Sequence, residues 1–311
     1  MRDGGRPFDG TRGAAARYGV NTPLQDVTTD ELLAAWRRID ALGFGWISVW
    51  DHLQALSGGP NLEAVSMHAA LALVTERARV GCLVYSASYR SPGVLAKAVA
   101  TIDHLSGGRA VMGLGAGYFA PEHEAFGVEL RAPGARVRHL EHVLVAMRGL
   151  LDGATVRCCS ETVVLRDARA DPPPVQSHLP IWVGGGGERR TLPLAGRLAD
   201  GWNVPMASVE DYRRKAAIVA AAAEAAGRDP ADIERSVNVG LCWDEAHIPE
   251  RYGARWQALR PAILTGSTQQ VVDHVAAYRA AGADTVILSL RAPFDLDEVE
   301  RFATEVAAVL P

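Results

Sequence analysis

Short β-like runs alternate with amphipathic helical stretches along almost the whole chain, and this alternation limits the available folds more than any other feature. The runs are RYGVNT (17–22), GWISVW (45–50), RVGCLVY (79–85), RAVMGLG (109–115), LPIWVGG (179–185), DGWNVP (200–205), SVNVGLCW (236–243) and DTVILSL (284–290). Among the segments between them, TTDELLAAWRRIDALG, NLEAVSMHAALALVTE, SPGVLAKAVATIDHLSGG and SVEDYRRKAAIVAAAAEAAG place apolar residues at helical spacing. Thr28 and Thr29 before Asp30-Glu31, Ser208 ahead of Glu210, and glycines at 43, 107 and 227 supply start and stop signals. Eight such units predict an α/β fold, a (β/α)8 TIM barrel with insertions, over a doubly wound open sheet.

The chain has 311 residues where a barrel of this kind uses about 250. The excess falls in three places. Residues 1–16 read as a flexible tail, leaving 17–311 as one domain. GATVRCCSETVVLRDARADPPPVQSH (153–178) pairs β-like segments and carries three prolines that exclude helix, which predicts a hairpin flap before the fifth barrel strand. Residues 244–262 form a second, less regular insertion.

Composition removes several functions. A net charge of −4 argues against nucleic acid as a partner. No apolar run reaches the roughly 18 residues that a membrane span requires. The N-terminus has charge but no apolar core, so it does not read as a secretory signal, and the expected compartment is the cytoplasm. Cys82, Cys158, Cys159 and Cys242 lack zinc spacing and read as plain thiols, with no metal site expected. His139, Glu141 and His142 miss the H-E-x-x-H spacing, and Arg136 and Arg138 beside them suggest a solvated face. Glu122-His123-Glu124 reads as a charged helix start.

Three places carry candidate chemistry. In RAVMGLGAG (109–117), Gly113, Gly115 and Gly117 share one strand face, because side chains alternate with period two. Glycine there permits close approach of a ligand or backbone, so a flat ring could lie against the stripped wall. The spacing is not the dinucleotide fingerprint, which needs G-x-G-x-x-G opening a helix. Asp51 and His52 directly follow the second strand and so belong at the barrel mouth, where an imidazole can exchange a proton near neutrality. VGGGGER (183–189) offers convergent backbone N–H groups and a helix start at about Glu188, the chemistry of a phosphate site.

HLSGGRAVMGLGAGYFAPEHEAFG resembles the signature region of the bacterial luciferase-like flavin and deazaflavin oxidoreductases. The resemblance runs from about Arg17 to Ala308 and includes WISVWDHL (46–53), residues 79–109, 179–203 and 266–288, in the family's order. G-x-G-A-G followed by an aromatic pair and P-E-H is most similar to the branch that uses coenzyme F420, a 5-deazaflavin; a related branch uses FMN. The resemblance implies hydride transfer between F420 and a small organic substrate, with His52 as the proton donor or acceptor. It implies cofactor contacts from Asp51, Leu83, Val84, Ser86, Ala116, Gly117, Gly184, Gly185, Gly187 and Glu188. A non-prolyl cis peptide at Leu83–Val84 is also implied, making a bulge against the middle of the ring. Where some relatives place a glutamate directly after the glycines, this chain has Tyr118, so a mechanism through that glutamate is not implied. Relatives often form homodimers. An FMN-dependent monooxygenase with a reductase partner is one alternative, and a non-catalytic flavin-binding protein is another. The loops after Trp50 and at 153–178 are expected to shape substrate choice.

Overall fold

The computed structural model describes residues 17–310; the expected tail, 1–16, lies outside the described residues. In chain order the strands are β1 (Tyr18–Asn21), β2 (Trp46–Val49), β3 (Arg79–Ser86), β4 (Ala110–Gly115), β5 (Val156–Cys159), β6 (Val164–Ala168), β7 (Ile181–Gly184), β8 (Gly201–Pro205), β9 (Glu234–Leu241), β10 (Ile263–Leu264) and β11 (Thr285–Ser289). The helices are α1 (Thr29–Ala41), α2 (Ala64–Val74), α3 (Pro92–Ser106), α4 (Ala120–Ala125), α5 (Pro133–Leu151), α6 (Thr191–Leu198), α7 (Val209–Ala225), α8 (Ile248–Tyr252), α9 (Trp256–Leu259), α10 (Thr268–Ala280) and α11 (Leu296–Arg301). Parallel ladders run β1-β2-β3-β4-β7-β8-β9-β11, and β11 returns to β1. The sheet therefore closes into an eight-stranded TIM barrel. Each strand coincides with one of the eight β-like runs to within about two residues.

The ends of the helices follow local chemistry. The Thr28 hydroxyl accepts from the Glu31 N–H while the Glu31 carboxylate accepts from the Thr28 N–H, a reciprocal cap worth about 1 kcal/mol. Gly107 closes α3 at φ 67°, a conformation that costs other residues more.

The barrel interior holds two large rings and the space cut for them. Trp46 on β2 and Trp182 on β7 stack with centroids 4.8 Å apart and planes 17° from parallel. A Cβ on Gly19 or Gly81 would come within 2.8 Å of Trp46, and one on Gly201 within 2.4 Å of Trp182. Those three strand glycines thus exist to admit indoles. Arg79 lies over both rings and pairs with Glu234, sealing the N-terminal end of the barrel. Leu83, Val111 and Ile287 form the next layer toward the mouth.

The 153–178 insertion is a β5–β6 antiparallel hairpin, as its sequence predicts. Its position does not fit a role in substrate choice. Val156 packs on Gly149 of α5, Thr162 bonds His142, Leu165 meets Gly93 of α3, and the Pro173 carbonyl lies 2.8 Å from His104. The hairpin clasps the outside of α3 and α5. It is the 244–262 insertion, following β9, that reaches the mouth through Tyr252 and Arg255.

His68 of α2 is fully buried, with Nδ1 2.8 Å from the Tyr85 hydroxyl of β3, and burial pushes its imidazole down to about 4. An unfolded histidine titrates near 6.5, so below that pH the unfolded chain binds a proton that the folded chain refuses. Stability is therefore complete above about pH 6.5 and falls as the pH drops toward 4, by on the order of 3 kcal/mol. Denaturant midpoints measured across this window should show a steeper acid loss in the wild type than in His68→Leu. Parallel curves would show that His68 contributes nothing to it.

Candidate active site

The C-terminal ends of β2, β3, β4 and β7 converge on one wall of the mouth. The glycines of β4 and β7 do leave space there, but β3 fills it. A Cβ on Gly113 would meet the Cys82 carbonyl oxygen at 2.4 Å; one on Gly115 or Gly184 would meet Val84 at 2.5 Å. The β3–β4 register shifts between Cys82 and Tyr85, and the Leu83–Val84 peptide within that irregularity is cis. The flat wall expected of the glycines is thus built by the Leu83–Val84 bulge, with glycine as its socket.

Beside this wall, Gly117 has φ 73°, and a Cβ there would lie 2.8 Å from Ser86 Oγ and 3.3 Å from His123 Nε2. The His123 nitrogen is buried with no hydrogen-bond partner among the described residues. Ser86 Oγ and His123 Nε2 together offer polar groups at a place only glycine leaves open.

His52 sits at the mouth among aromatic edges: Trp50 at 5.6 Å, Tyr118 at 5.9 Å and Phe119 at 6.1 Å between ring centroids. Its Nδ1 is 3.0 Å from Oε1 of Glu122, which is 1% exposed. The other Glu122 oxygen accepts from the Leu53 N–H at 2.8 Å, and the Tyr89 hydroxyl donates to Oε1. Burial and the adjacent Glu122 carboxylate push the Tyr89 hydroxyl up, so it stays a donor. A carboxylate that accepts from an N–H and an O–H leaves His52 Nδ1 the donor's role as well. His52 Nε2 is then the nitrogen free to take or give a proton.

Glu122 was expected only as part of a charged helix start. It does occupy the first turn of α4, yet it is buried and clamps His52. The two lie 70 residues apart, so local sequence carries no signal of the contact. His139, expected on a solvated face, is also buried, with Nε2 3.0 Å from the Ala87 carbonyl oxygen.

Asp51 points away from open space. Its carboxylate forms a two-pronged pair with Arg90, at 2.6 and 3.0 Å, and accepts from the Ser86 N–H at 3.1 Å. It ties the ends of β2 and β3 together beneath the mouth.

The glycine loop after β7 lies open at the mouth. Gly185 takes φ 133°, and a Cβ on Gly187 would lie 2.9 Å from Thr191 Oγ1. The helix starts at Thr191 rather than at about Glu188, because residues 188–190 turn first. Glu188 is not a repulsive charge in this loop: Lys215 and Arg214 hold its carboxylate at 2.9 and 2.7 Å, which keeps it below the usual carboxylate range. A cleft of about 600 Å³ extends from Ala116 and Gly117 past Pro133, Arg136 and Gly187 to Thr191. Loop and cleft leave room for the phosphate and tail of an elongated cofactor beside the Val84 wall.

These features define a TIM barrel with a candidate active site at its C-terminal mouth. The luciferase-like monooxygenase family matches residues 11–250, and the chain belongs to that family. A phthiodiolone/phenolphthiodiolone dimycocerosates ketoreductase of Mycobacterium tuberculosis is 38% identical over 187 residues, 58% of this chain and 48% of that one. An F420-dependent secondary alcohol dehydrogenase, solved with an F420–acetone adduct, superposes with a TM-score of 0.85 at 17% identity, covering 94% and 98% of the two chains. The oxygenating constituent of 3,6-diketocamphane monooxygenase of Pseudomonas putida, solved with FMN, gives 0.78 at 16% identity, covering 95% and 99%. No helix among the described residues is long and apolar enough to cross a membrane.

Proposed function

We propose that this chain is an F420-dependent oxidoreductase that moves a hydride between the deazaflavin and the carbonyl or alcohol carbon of a small substrate. The observation that carries the reading is the His52–Glu122 pair, a positioned proton exchanger beside a wall made for a flat ring. Bound F420 would supply the hydride chemistry. Leu83, Val84, Ser86, Ala116 and Gly117 would line the ring's place, and Gly184, Gly185, Gly187 and Glu188 the phosphate's, with Asp51 stiffening the β2 and β3 ends beneath them. His52 as imidazolium gives its Nε2 proton to a forming alkoxide, or as imidazole takes one from an alcohol, and Glu122 stabilises the imidazolium form in both directions. Trp50, Tyr118 and Phe119 exclude water around that imidazole. The ketone-reducing relative and the alcohol dehydrogenase with the same fold support a carbonyl–alcohol couple.

The test is anaerobic. Purified protein with reduced F420 is offered a panel of ketones and aldehydes, and oxidised cofactor is followed by absorbance. Substrate-dependent oxidation without oxygen is the expected result. Turnover that requires FMN and consumes oxygen would instead assign the chain to the monooxygenases.

A further inference from the structure

We propose that the substrate entering this mouth carries an anionic oxygen group, a carboxylate or a phosphate, and that Arg291 holds it. The proposal rests on the oxidoreductase reading of the mouth and adds the substrate class. Arg291 lies two residues beyond β11, at the C-terminal end of the barrel. Its guanidinium carbon is 5.9 Å over the Trp50 ring and 5.8 Å over the Tyr252 ring, and Trp50 in turn meets His52 edge-on. The side chain is half-buried, yet no carboxylate or carbonyl among the described residues accepts from it.

Three other partly buried arginines of this chain are occupied. Arg109 donates to carbonyls of Ala72, Thr75, Ala78 and Ser106. Arg90 holds Asp51 and Glu63, and Arg251 holds Glu298 and Asp295. Arg291 differs in that aromatic rings engage its flat face while its in-plane N–H groups stay free. That edge is the part of a guanidinium that binds an oxyanion with two parallel hydrogen bonds.

A second cation strengthens the case. Arg255, on the 244–262 insertion, is exposed and has no ion-pair partner among the described residues; its field and that of Arg291 both reach the Tyr118 hydroxyl. The Glu122 charge reaches the same hydroxyl, but its carboxylate is held by His52, Leu53 and Tyr89, and that of Glu298 by Arg251, so neither pairs with Arg291. The rim beside His52 therefore carries a guanidinium edge that no carboxylate among the described residues bonds. An oxyanion on the substrate would take both N–H groups of that edge.

The probe is the indole N–H signal of Trp50 in nitrogen-15 spectra, assigned by its loss in Trp50→Phe. Inorganic phosphate and succinate are titrated separately at an ionic strength held constant with chloride. Because Trp50 reports the mouth, phosphate taken up by the 184–188 loop does not register. The wild type should show a saturable shift with at least one probe, and the stronger one identifies the group. Arg291→Gln should weaken that binding tenfold or more, and Arg291→Lys should fall between, while the other indole signals certify the fold. No saturable shift in the wild type, or equal affinity in Arg291→Gln, overturns the proposal. F420 titrations on the same samples keep the two readings apart. Lost F420 binding with the anion response intact sinks the oxidoreductase reading alone. F420 binding without an anion response sinks this inference alone.

Discussion

His52→Ala is expected to lower turnover by about 10²–10⁴-fold, the usual worth of a positioned proton exchanger, with cofactor affinity changed by less than about threefold. The side chain is only 12% exposed and bonds the buried Glu122, so a thermal melt of the variant separates lost packing from lost chemistry. Glu122→Gln tests the other half of the pair. An amide can still accept from Leu53 or Tyr89, but it is neutral and cannot stabilise an imidazolium as the carboxylate does. Turnover should fall by about 10²-fold. Steady-state rates across pH, with cofactor titrations of each variant, separate these effects from a general loss of structure. Unchanged turnover in His52→Ala would remove His52 from the mechanism and favour a flavin-binding protein without catalysis.

Gly113→Ala should be the most damaging single methyl group in the wall. Its Cβ would sit 2.4 Å from the Cys82 carbonyl oxygen and 3.0 Å from both Leu83 and Val84, and the nearest of these is backbone, which has no rotamer to change. Overpacking of a dense core costs about 1–3 kcal/mol, and a backbone clash belongs at or above the upper end. Thermal melting should drop by several degrees, about 2–4 °C for each kcal/mol in larger domains. Cofactor affinity should fall with it, because the bulge that Gly113 accommodates is displaced. Gly108→Ala offers a contrast: it sits at φ 88° with its nearest neighbour at 3.5 Å, so any loss there reflects backbone strain without damage to the wall. Normal cofactor binding in Gly113→Ala would show that the bulge does not form the ring's wall.

The strands were legible because a parallel barrel buries both faces of every strand, which produces short apolar runs between helical periods. The stop at Gly107 and the caps at Thr28 and Ser208 were legible for similar local reasons. Gly113 and Gly115 announced that something approaches β4 closely. They could not say whether it was a ligand or Val84 of the neighbouring strand, since both leave the same vacancy in sequence. Glu122 and Arg291 were hidden for another reason. Each gains its meaning from a partner 70 or more residues away, His52 for one and Trp50 for the other. The sequence of 153–178 encodes a hairpin but not which face of the barrel that hairpin covers, which contacts with α3 and α5 decide.

The most direct test of the central claim is a titration of the purified protein with F420 and, separately, with FMN, read by tryptophan quenching. Selective binding of F420, weakened by substitutions at Val84 and in the 184–188 loop but not by His52→Ala, is what the account predicts. Selective binding of FMN, or F420 binding indifferent to Val84 and the loop, would contradict it.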